Sequence, residues 1–589
     1  MKRYCTVLMV AAGCLAWATT TAGAATIDGT LKTWHRVTVS FEGPETSESA
    51  EPSPFLHYRL NVTFTGPWDS SITVPGFYAA DGHAADSGSS SGSTWRVRFC
   101  PPEPGVWKWR ASFRRGDRVA LAGEPHAGSA AAFDGASGSF TVKPSEKDGR
   151  DFRGRGRLRY VGERYLRFAG TGEPFLKGGA DSPENFLAYE GFDGTPPTHA
   201  YAPHLDDWRE GDPTWAGNRG KGIIGALNYL AGKGMNSVYM LTMNVTGDGR
   251  DVWPWTAKNA RMRFDCSKLA QWEIVFSHMD RLGLMQHFVT QETENDHLLD
   301  DGELGPQRKL YYRELVARFA HHPAITWNLG EENTNTDEQR KRFARYIRGL
   351  IPYRGPFLVV HTYPQKKKKI YEPLLGFRGL GGPALQMGNP KGSHSETIRW
   401  LERSREAGHP WVVCVDEIGP ASTGVMPDGP DSNQDMVRRR VLWANLMAGG
   451  AGCEWFFGYD YPHNDLDCED WSSRSRMWDF TRHALRFFHR HLPFAKMRHA
   501  DDLTSAPDDY CLARPGEVYA IYLPEGGSTK LDLGDSDASF QARWYNPREG
   551  GELRRGSVTR ISGPGQVSLG PPPDHSGRDW AILVERRTQ

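Results

Sequence analysis

Two acidic residues each follow a short apolar segment in the middle of the chain. Glu332 comes after residues 324–329, and Glu417 comes after residues 411–415. Two carboxyl groups on either side of an acetal can cleave it, because one protonates the leaving oxygen while the other attacks or stabilises the cationic carbon. This chemistry requires no metal and no cofactor, since carboxyl groups alone supply the acid and the base. The two segments therefore predict acetal cleavage, provided that the fold brings Glu332 and Glu417 together.

The surrounding sequence predicts a fold that would do so. Eight short apolar segments alternate with helical patterns between residues 158 and 498, which is typical of a (β/α)8 barrel. The segments are residues 175–178, 237–241, 286–290, 324–329, 357–361, 384–387, 411–415 and 452–456. Polar residues after barrel strands lie on the carboxyl-terminal face, where the chemistry of this fold takes place. Glu332 and Glu417 would follow strands four and seven and meet across the mouth.

The chain on either side of the barrel has a different pattern. Residues 27–145 alternate apolar and polar positions between turns rich in Gly, Pro, Ser and Asp, which predicts an immunoglobulin-like β-sandwich. Residues 499–589 return to short strands separated by turns, which predicts a second, small β-sandwich. The expected fold class is thus multidomain, with a central TIM barrel and a sandwich on each side.

Other polar residues at the ends of the predicted strands are candidates for binding a substrate. Asp181 and Asn185 follow strand one, Asn244 follows strand two, Glu292 follows strand three, and His361 ends strand five. Each could contact sugar hydroxyls at the mouth. Asp181 and Asn185 could equally cap the helix that follows them. No spacing of His, Cys, Asp or Glu predicts a metal site.

The segments that carry Glu332 and Glu417 resemble a known group of enzymes. Trp327-Asn328-Leu329-Gly330-Glu331-Glu332 is similar to the W-x-L-G-N-E motif of the retaining clan A glycoside hydrolases, and Glu417-Ile418-Gly419 is similar to their E-x-G motif. The resemblance implies that Glu332 is the acid/base and Glu417 the nucleophile. It also implies that Trp455 forms the floor of a sugar subsite. Glu331 stands where the clan has the Asn that binds the sugar 2-hydroxyl, so its role and the identity of the sugar stay open.

Over nearly the whole chain, the closest likeness is to apiosidase-like and related uncharacterised barrel hydrolases. Those proteins join a sandwich of unknown function to a barrel and a small module of the collagen-binding type. The likeness is carried by residues 54–60, 264–272 and 544–547. It implies a glycoside hydrolase that acts on a polysaccharide or oligosaccharide.

Composition and the N-terminus bear on partners and location. The 71 basic residues balance the 71 acidic residues of this 589-residue chain, which predicts no binding to nucleic acid. Residues 1–24 resemble a signal peptide that ends at Ala22-Gly23-Ala24, so we expect a secreted or periplasmic protein. A lipoprotein anchor at Cys14 is an alternative. No later segment is long and apolar enough to predict a membrane span.

Several alternatives remain open from the sequence. The chain could be a non-catalytic carbohydrate- or matrix-binding protein. It could also be a polysaccharide lyase that uses His361, Tyr363 or His394, or it could be a metal-dependent hydrolase. Cys453 and Cys468 could form a disulfide, although buried thiols are the favoured interpretation. The oligomeric state and the choice between exo and endo action are not indicated.

Overall fold

A computed structural model describes residues 25–587. The predicted signal peptide, residues 1–24, lies outside this range. The described chain forms an N-terminal pair of antiparallel sheets, a closed barrel of eight parallel strands and a C-terminal pair of sheets. This architecture confirms the predicted TIM barrel with a β-sandwich on each side. Within residues 25–587, no helix has the length and apolar character needed to cross a membrane.

The N-terminal sandwich follows from alternation along its strands. In Gly105–Arg115, every second side chain is buried, including Trp107, Trp109 and Phe113. Such alternation buries one face of a sheet and leaves the other in water. In spatial order, the strands of one sheet are Thr26–Gly29, Val37–Ser47, Ser91–Phe99 and Phe77–Tyr78. Those of the other sheet are Ser71–Pro75, Tyr58–Thr65, Gly105–Arg115 and Ser129–Ala130, with Ser137–Val142 also paired to Gly105–Arg115.

Each of the eight predicted strands overlaps a strand of the barrel, and each strand pairs in parallel with its neighbours. The seventh strand begins and ends three residues later than predicted, so Glu417 lies within it and not after it. The strands are β1 (Lys177–Ala180), β2 (Ser237–Leu241), β3 (Met285–Val289), β4 (Ile325–Asn328), β5 (Phe357–Thr362), β6 (Gly382–Met387), β7 (Cys414–Ile418) and β8 (Gly452–Trp455). Their side chains are buried on both faces, which explains why the sequence shows continuous apolar segments there.

Helices cover the outside of the barrel. They are α1 (Lys221–Gly232), α2 (Cys266–Leu282), α3 (Pro306–Phe319), α4 (Asp337–Leu350), α5 (Lys367–Tyr371), α6 (Ser393–Glu406), α7 (Asp435–Val437, continuing through a π-helical turn Arg438–Trp443 to Ala444–Met447) and α8 (Ser475–His491). Thr336 starts α4 with a capping box in which Gln339 is its partner. The N-cap of α4 is therefore only four residues after Glu332, which limits how far the loop with that residue can move.

An ion-pair network fills part of the barrel interior. Lys177 on β1 forms ion pairs with Asp416 and with Glu454, whose Oε2 lies 3.0 Å from Lys177 Nζ. His287 Nδ1 lies 2.7 Å from the same Glu454 oxygen. All four side chains are buried. Within this network, the polar side chains of β1, β3, β7 and β8 pair with one another below the mouth of the barrel.

We expect Lys177→Met to lower the free energy of unfolding by about 3–5 kcal/mol, because it leaves buried Asp416 and Glu454 without their cation. Denaturant unfolding followed by circular dichroism would measure the change. Lys233→Met is the matched control, since Lys233 is in a partly exposed pair with Asp479 at 3.1 Å and should cost about 1 kcal/mol or less. Equal losses in the two variants would contradict the assignment of Lys177 to the core network.

Both flanking domains are attached to the barrel through buried polar contacts. On the N-terminal side, Arg98 Nη1 lies 2.9 Å from Oε2 of Glu273 on α2. On the C-terminal side, Arg438 on α7 pairs with Asp579 at 2.8 Å, and Tyr522 donates to the same aspartate at 2.7 Å. These contacts are buried and well paired, so the three domains form one continuous packed structure.

The C-terminal module consists of a six-stranded sheet and a strand pair. In spatial order, the sheet contains Arg498–His499, Tyr510–Arg514, Val518–Leu523, Trp580–Arg586, Ser539–Tyr545 and Arg560–Ser562. The pair is formed by Lys530–Asp532 and Gln566–Ser568. All six cysteines of the described range are buried and unpaired, so the possible disulfide between Cys453 and Cys468 is absent.

Candidate active site

The structure brings Glu332 and Glu417 together at the carboxyl-terminal face of the barrel. The side-chain amide of Gln386, on β6, donates hydrogen bonds to both: its Nε2 lies 3.0 Å from Glu332 Oε1 and 2.6 Å from Glu417 Oε1. The two carboxylate oxygens therefore cannot be further apart than the sum of these distances. This gap is the size that one sugar carbon and its leaving oxygen require.

A β-bulge determines where Glu417 points. Across the β6–β7 pairing, Leu385 opposes Val415 and Gln386 opposes Glu417, so Asp416 is an extra residue on β7. Consecutive side chains of a regular strand face opposite sides. The bulge changes this alternation, so Asp416 reaches Lys177 inside the barrel while Glu417 lies beside Gln386 at the rim.

Glu332 is held by its backbone as well as by its side chain. Its φ of 44° lies in the left-handed region, which is unfavourable for a residue with a Cβ. Its N–H donates to Nδ1 of His361 at 2.9 Å, and the N–H of Asn333 donates to the His361 carbonyl at 3.1 Å. Strained backbone of this kind persists only when neighbouring contacts fix it, and it is concentrated at functional sites.

These contacts also determine the tautomer of His361. Because Nδ1 accepts a hydrogen bond from a backbone N–H, the proton of the neutral ring resides on Nε2. Nε2 lies 3.2 Å from Glu417 Oε2. Oxygens of Glu331 and Glu417 lie with a ring nitrogen of His361 within 4.8 Å of one another, an arrangement that could hold a metal ion. A protonated Nε2 has no lone pair for a metal, so the donor set does not fit an ion. Nε2 of His361 is close to Glu417 Oε2 but does not form a hydrogen bond of good geometry with it.

The surroundings of Glu332 are those of a general acid. Burial raises the pKa of its carboxyl, and the negative charge of Glu417 raises the pKa further. Hydrogen bonds from Gln386 and Tyr363 act in the opposite direction. A carboxyl that stays protonated beside an ionised partner can donate its proton to a leaving oxygen. The environments of the two residues thus suit two different roles.

Four further carboxyls lie buried at the same face. They are Asp181, Glu184, Glu331 and Asp465. Burial raises the pKa of each, and in each case neighbouring carboxylates contribute. The pKa of Asp465 rises to about 8, although Ser182 donates to its Oδ1 at 2.5 Å. Glu331 is among the groups that raise the pKa of Glu184, and Glu331 Oε2 has no hydrogen-bond partner. The structure thus places the predicted Asp181 and Glu331 at the mouth.

We expect Glu184→Gln to stabilise the protein more at pH 8 than at pH 5. The folded-state pKa of Glu184 is raised above its ordinary value of 4.5, so wild-type stability falls as pH rises above 4.5 and through the raised folded pKa. A neutral amide avoids this cost and should increase the free energy of unfolding by about 1–2 kcal/mol at pH 8. Urea unfolding at both pH values would measure it, with exposed Glu190→Gln as the control. A change in stability that is equal at both pH values would contradict the raised pKa of Glu184.

Most of the other predicted binding residues form hydrogen bonds within the protein. Asn185 donates to Asp251 at 2.8 Å and accepts from His199 at 2.8 Å. Asn244 accepts from the Arg250 N–H at 3.0 Å, and it holds a loop together. Glu292 lies among Glu294 and Asp248; burial, followed by these charges, raises its pKa to about 9. Asn185 and Asn244 therefore stabilise the structure around the site. The negative charge of Glu292 contributes to the raised pKa of Glu331.

The orientation of Trp455 requires a correction. Its indole is fully buried and donates from Nε1 to Thr481 Oγ1 on α8 at 2.9 Å. Glu454 faces the barrel interior, so its neighbour on β8 must face the helices. Trp455 therefore does not form the floor of a sugar subsite at the mouth of the barrel. His394 is also remote from it, because its ring binds Asp501 at 2.8 Å and stacks on Tyr510.

Sequence reasoning did not identify Gln386, Asp465 or Tyr239 as parts of the site. Gln386 is the single polar side chain in the apolar segment Gly382–Met387, and this was a usable signal. Asp465 comes from the long loop after β8, which no strand pattern locates. The Tyr239 hydroxyl, on β2, lies beside Glu331. Its position in a fully buried strand gave no indication of that contact.

Two family models match the flanking domains. Residues 30–114 match a domain of unknown function, DUF5060. Residues 500–585 match the family described as "Putative collagen-binding domain of a collagenase". These matches lie in the N-terminal sandwich and in the C-terminal module. The sequence matches none of the curated proteins.

Solved structures resemble the chain over most of its length. One, a "putative glycoside hydrolase" from Bacteroides vulgatus ATCC 8482, has a TM-score of 0.62 at 16% identity, over 94% of this chain and 99% of its own. This chain shares its fold. Another, named glycoside hydrolase, has a TM-score of 0.53 at 14% identity, over 75% and 99%. A glycoside hydrolase family 5 protein from Bacteroides vulgatus ATCC 8482 has a TM-score of 0.51 at 16% identity, over 73% and 93%.

Proposed function

We propose that the protein is a retaining glycoside hydrolase that acts on an oligosaccharide or polysaccharide. The observation that carries the proposal is the Gln386 amide, which bonds both Glu332 and Glu417 and so sets an upper limit on the distance between the bonded oxygens. The names of the similar solved structures point to the same class of reaction. Export of the chain, expected from residues 1–24, suits a substrate outside the cytoplasm.

In the first step, Glu332 protonates the glycosidic oxygen while Glu417 attacks the anomeric carbon and forms a glycosyl ester. The bond from the anomeric carbon to the leaving oxygen breaks, and the leaving sugar departs with the proton of Glu332. Glu332, now ionised, then removes a proton from water, which attacks the anomeric carbon and releases Glu417. Gln386 donates an N–H group to Glu417, and His361 Nε2 lies 3.2 Å from the other oxygen of that carboxylate. We infer that both residues orient the nucleophile and stabilise it when it leaves the sugar.

The spacing favours retention of configuration over inversion. Retaining enzymes separate their carboxyls by about 5–5.5 Å, whereas inverting enzymes need roughly 6.5–9.5 Å to accommodate a water molecule. The amide of Gln386 bonds an oxygen of each glutamate, which leaves no room for such a water between those atoms. The shorter separation therefore supports a covalent intermediate on Glu417.

The two other candidate functions are less well supported. A lyase that acts on an acidic sugar needs a cation near the sugar carboxylate. The charged groups that raise the pKa of Glu331 are instead carboxylates, those of Glu417, Asp465 and Glu292. A site that only binds a carbohydrate would not explain the strained backbone of Glu332. Glu417 Oε2 has no hydrogen-bond partner, which suits a group that awaits a substrate.

A substrate screen with product stereochemistry tests the proposal. The purified protein would be incubated with p-nitrophenyl glycosides of both anomers and with plant, algal and microbial polysaccharides. NMR would then follow the anomeric configuration of the first product released from the best substrate. We expect hydrolysis with retention. Hydrolysis with inversion, or no hydrolysis of any member of the panel, would contradict the proposal.

A further inference from the structure

The barrel mouth contains more buried carboxyls than acetal cleavage requires. Asp181, Glu184, Glu331 and Asp465 are each at most 8% exposed and lie around Glu417. The proposed hydrolysis uses Glu332 and Glu417 alone. These extra acids cost stability, because burial opposes their ionisation and they repel one another. Each of them can ionise to a carboxylate, and a cationic ligand would offset both the cost of burial and the mutual repulsion.

Unpartnered polar atoms point into this group of carboxyls. The Tyr239 hydroxyl, on a residue only 1% exposed, lies beside Glu331 without a hydrogen bond of good geometry. Glu331 Oε2 and Glu417 Oε2 also have no partner. Buried polar atoms are nearly always satisfied in folded proteins. Tyr239 is not part of the acidic cluster, and its free hydroxyl is a separate indication that a polar group of a ligand fits here.

The carboxyl of Glu331 indicates which chemical group of a ligand would bind here. Glu331 Oε2 is buried without a hydrogen-bond partner, and a carboxylate oxygen is an acceptor that calls for a donor. Lys177 on β1 is already paired with Asp416 and Glu454 below the mouth. An ammonium group gives a charge-assisted hydrogen bond that is stronger than that of a hydroxyl. A carboxylate would be repelled, and an acetamido group carries no charge.

The position of Glu331 indicates where on the sugar this group lies. An oxygen of Glu331 lies within 4.8 Å of an oxygen of Glu417, which attacks the anomeric carbon in the proposed reaction. A group that bonds Glu331 therefore belongs to the same ring, close to that carbon. Resting on the proposed function, we propose that the ring held between Glu332 and Glu417 is an amino sugar with a free, protonated amino group on the carbon next to the anomeric one, received by Glu331 and Tyr239.

Matched substrates test this specificity. The probes are p-nitrophenyl glucosides and galactosides of both anomers, each with a hydroxyl, a free amino or an acetamido group at carbon 2. We expect kcat/KM for the amino member of the preferred set to exceed that of both others by about tenfold or more, the gain of an added charge-assisted hydrogen bond. In Glu331→Gln, the ratio between the amino and hydroxyl members should fall to within about threefold of unity because the charge is lost.

A binding measurement separates this inference from the proposed reaction. Glucosamine and galactosamine should raise the Tm of the wild-type protein more than glucose and galactose at equal concentration, and this difference should vanish in Glu331→Gln. The same melting curves show whether the variant folds, and Glu184→Gln offers a second variant of the site. If neutral glycosides are cleaved better than amino glycosides, or if amino and neutral sugars shift Tm equally, the inference is overturned while glycoside hydrolysis stands. If amino sugars shift Tm selectively and no glycoside is cleaved, the site stands and the proposed function fails.

Discussion

Glu417→Gln is expected to reduce kcat by at least about 10⁴-fold, because an amide cannot form the glycosyl ester. The glutamine has nearly the same volume as the glutamate, so the fold should remain intact. Release of p-nitrophenol from the best aryl glycoside would measure the loss, and circular dichroism would confirm the fold. The expected effect is large because Glu417 forms the bond to the anomeric carbon in the proposed mechanism.

Glu417→Asp is the matched variant for that experiment. It keeps the charge but withdraws the carboxylate by about one carbon–carbon bond from the reacting carbon, and it weakens the 2.6 Å contact with Gln386. Misplacement of a reacting group by about 1 Å can cost roughly 10²-fold in rate. We therefore expect an intermediate activity. A Gln variant with wild-type activity would contradict the role of Glu417, and a Gln variant as active as the Asp variant would show that charge and nucleophilicity are not what the residue supplies.

Glu332→Gln is expected to have an effect that depends on the leaving group. For a natural oligosaccharide, loss of the general acid should lower kcat/KM by about 10²–10⁴-fold. For a 2,4-dinitrophenyl glycoside, whose leaving group needs little protonation, kcat/KM should change by less than about tenfold. Loss of the base in the second step should then make the glycosyl-enzyme accumulate. Stopped-flow absorbance would show this accumulation as a burst of dinitrophenol.

Glu338→Gln is the control for this prediction. Glu338 lies nearby on α4, but its side chain is 69% exposed and pairs with Arg345 at 3.6 Å. Its loss should leave both substrates unaffected. If Glu332→Gln reduced the activity on the two substrates by the same factor, Glu332 would not act by proton transfer to the leaving group. Such a result would leave Glu332 as a binding or structural residue.

The sequence was sufficient to predict the barrel because local patterns determine it. Each strand is a short apolar segment that is buried on both faces, and helices with one apolar side separate the strands. The order of the strands in a closed barrel then places every strand end at one face. This is why Glu332 and Glu417 could be expected to meet, and the structure brings them together. The alternation in residues 105–115 made the N-terminal sandwich predictable in the same way.

Other features depend on contacts that no local pattern records. The bulge at Asp416 arises from the pairing of β6 with β7, and it decides that Glu417 points to the mouth. The side of β8 that Trp455 occupies follows from the Lys177–Glu454 ion pair, which joins residues 277 apart in the chain. Gln386 is a single polar residue whose importance depends on both glutamates. Side-chain orientation at the ends of barrel strands thus requires the three-dimensional pairing.

The most direct test of the account is to trap the covalent intermediate. Glu332→Gln would be mixed with the 2,4-dinitrophenyl glycoside of the preferred sugar, quenched in acid within the burst and digested for mass spectrometry. The account predicts one added glycosyl residue on the peptide that contains Glu417, linked as an ester to its side chain. No adduct during a clear burst, or an adduct on a different residue, would contradict the assignment of Glu417 as the nucleophile opposite Glu332.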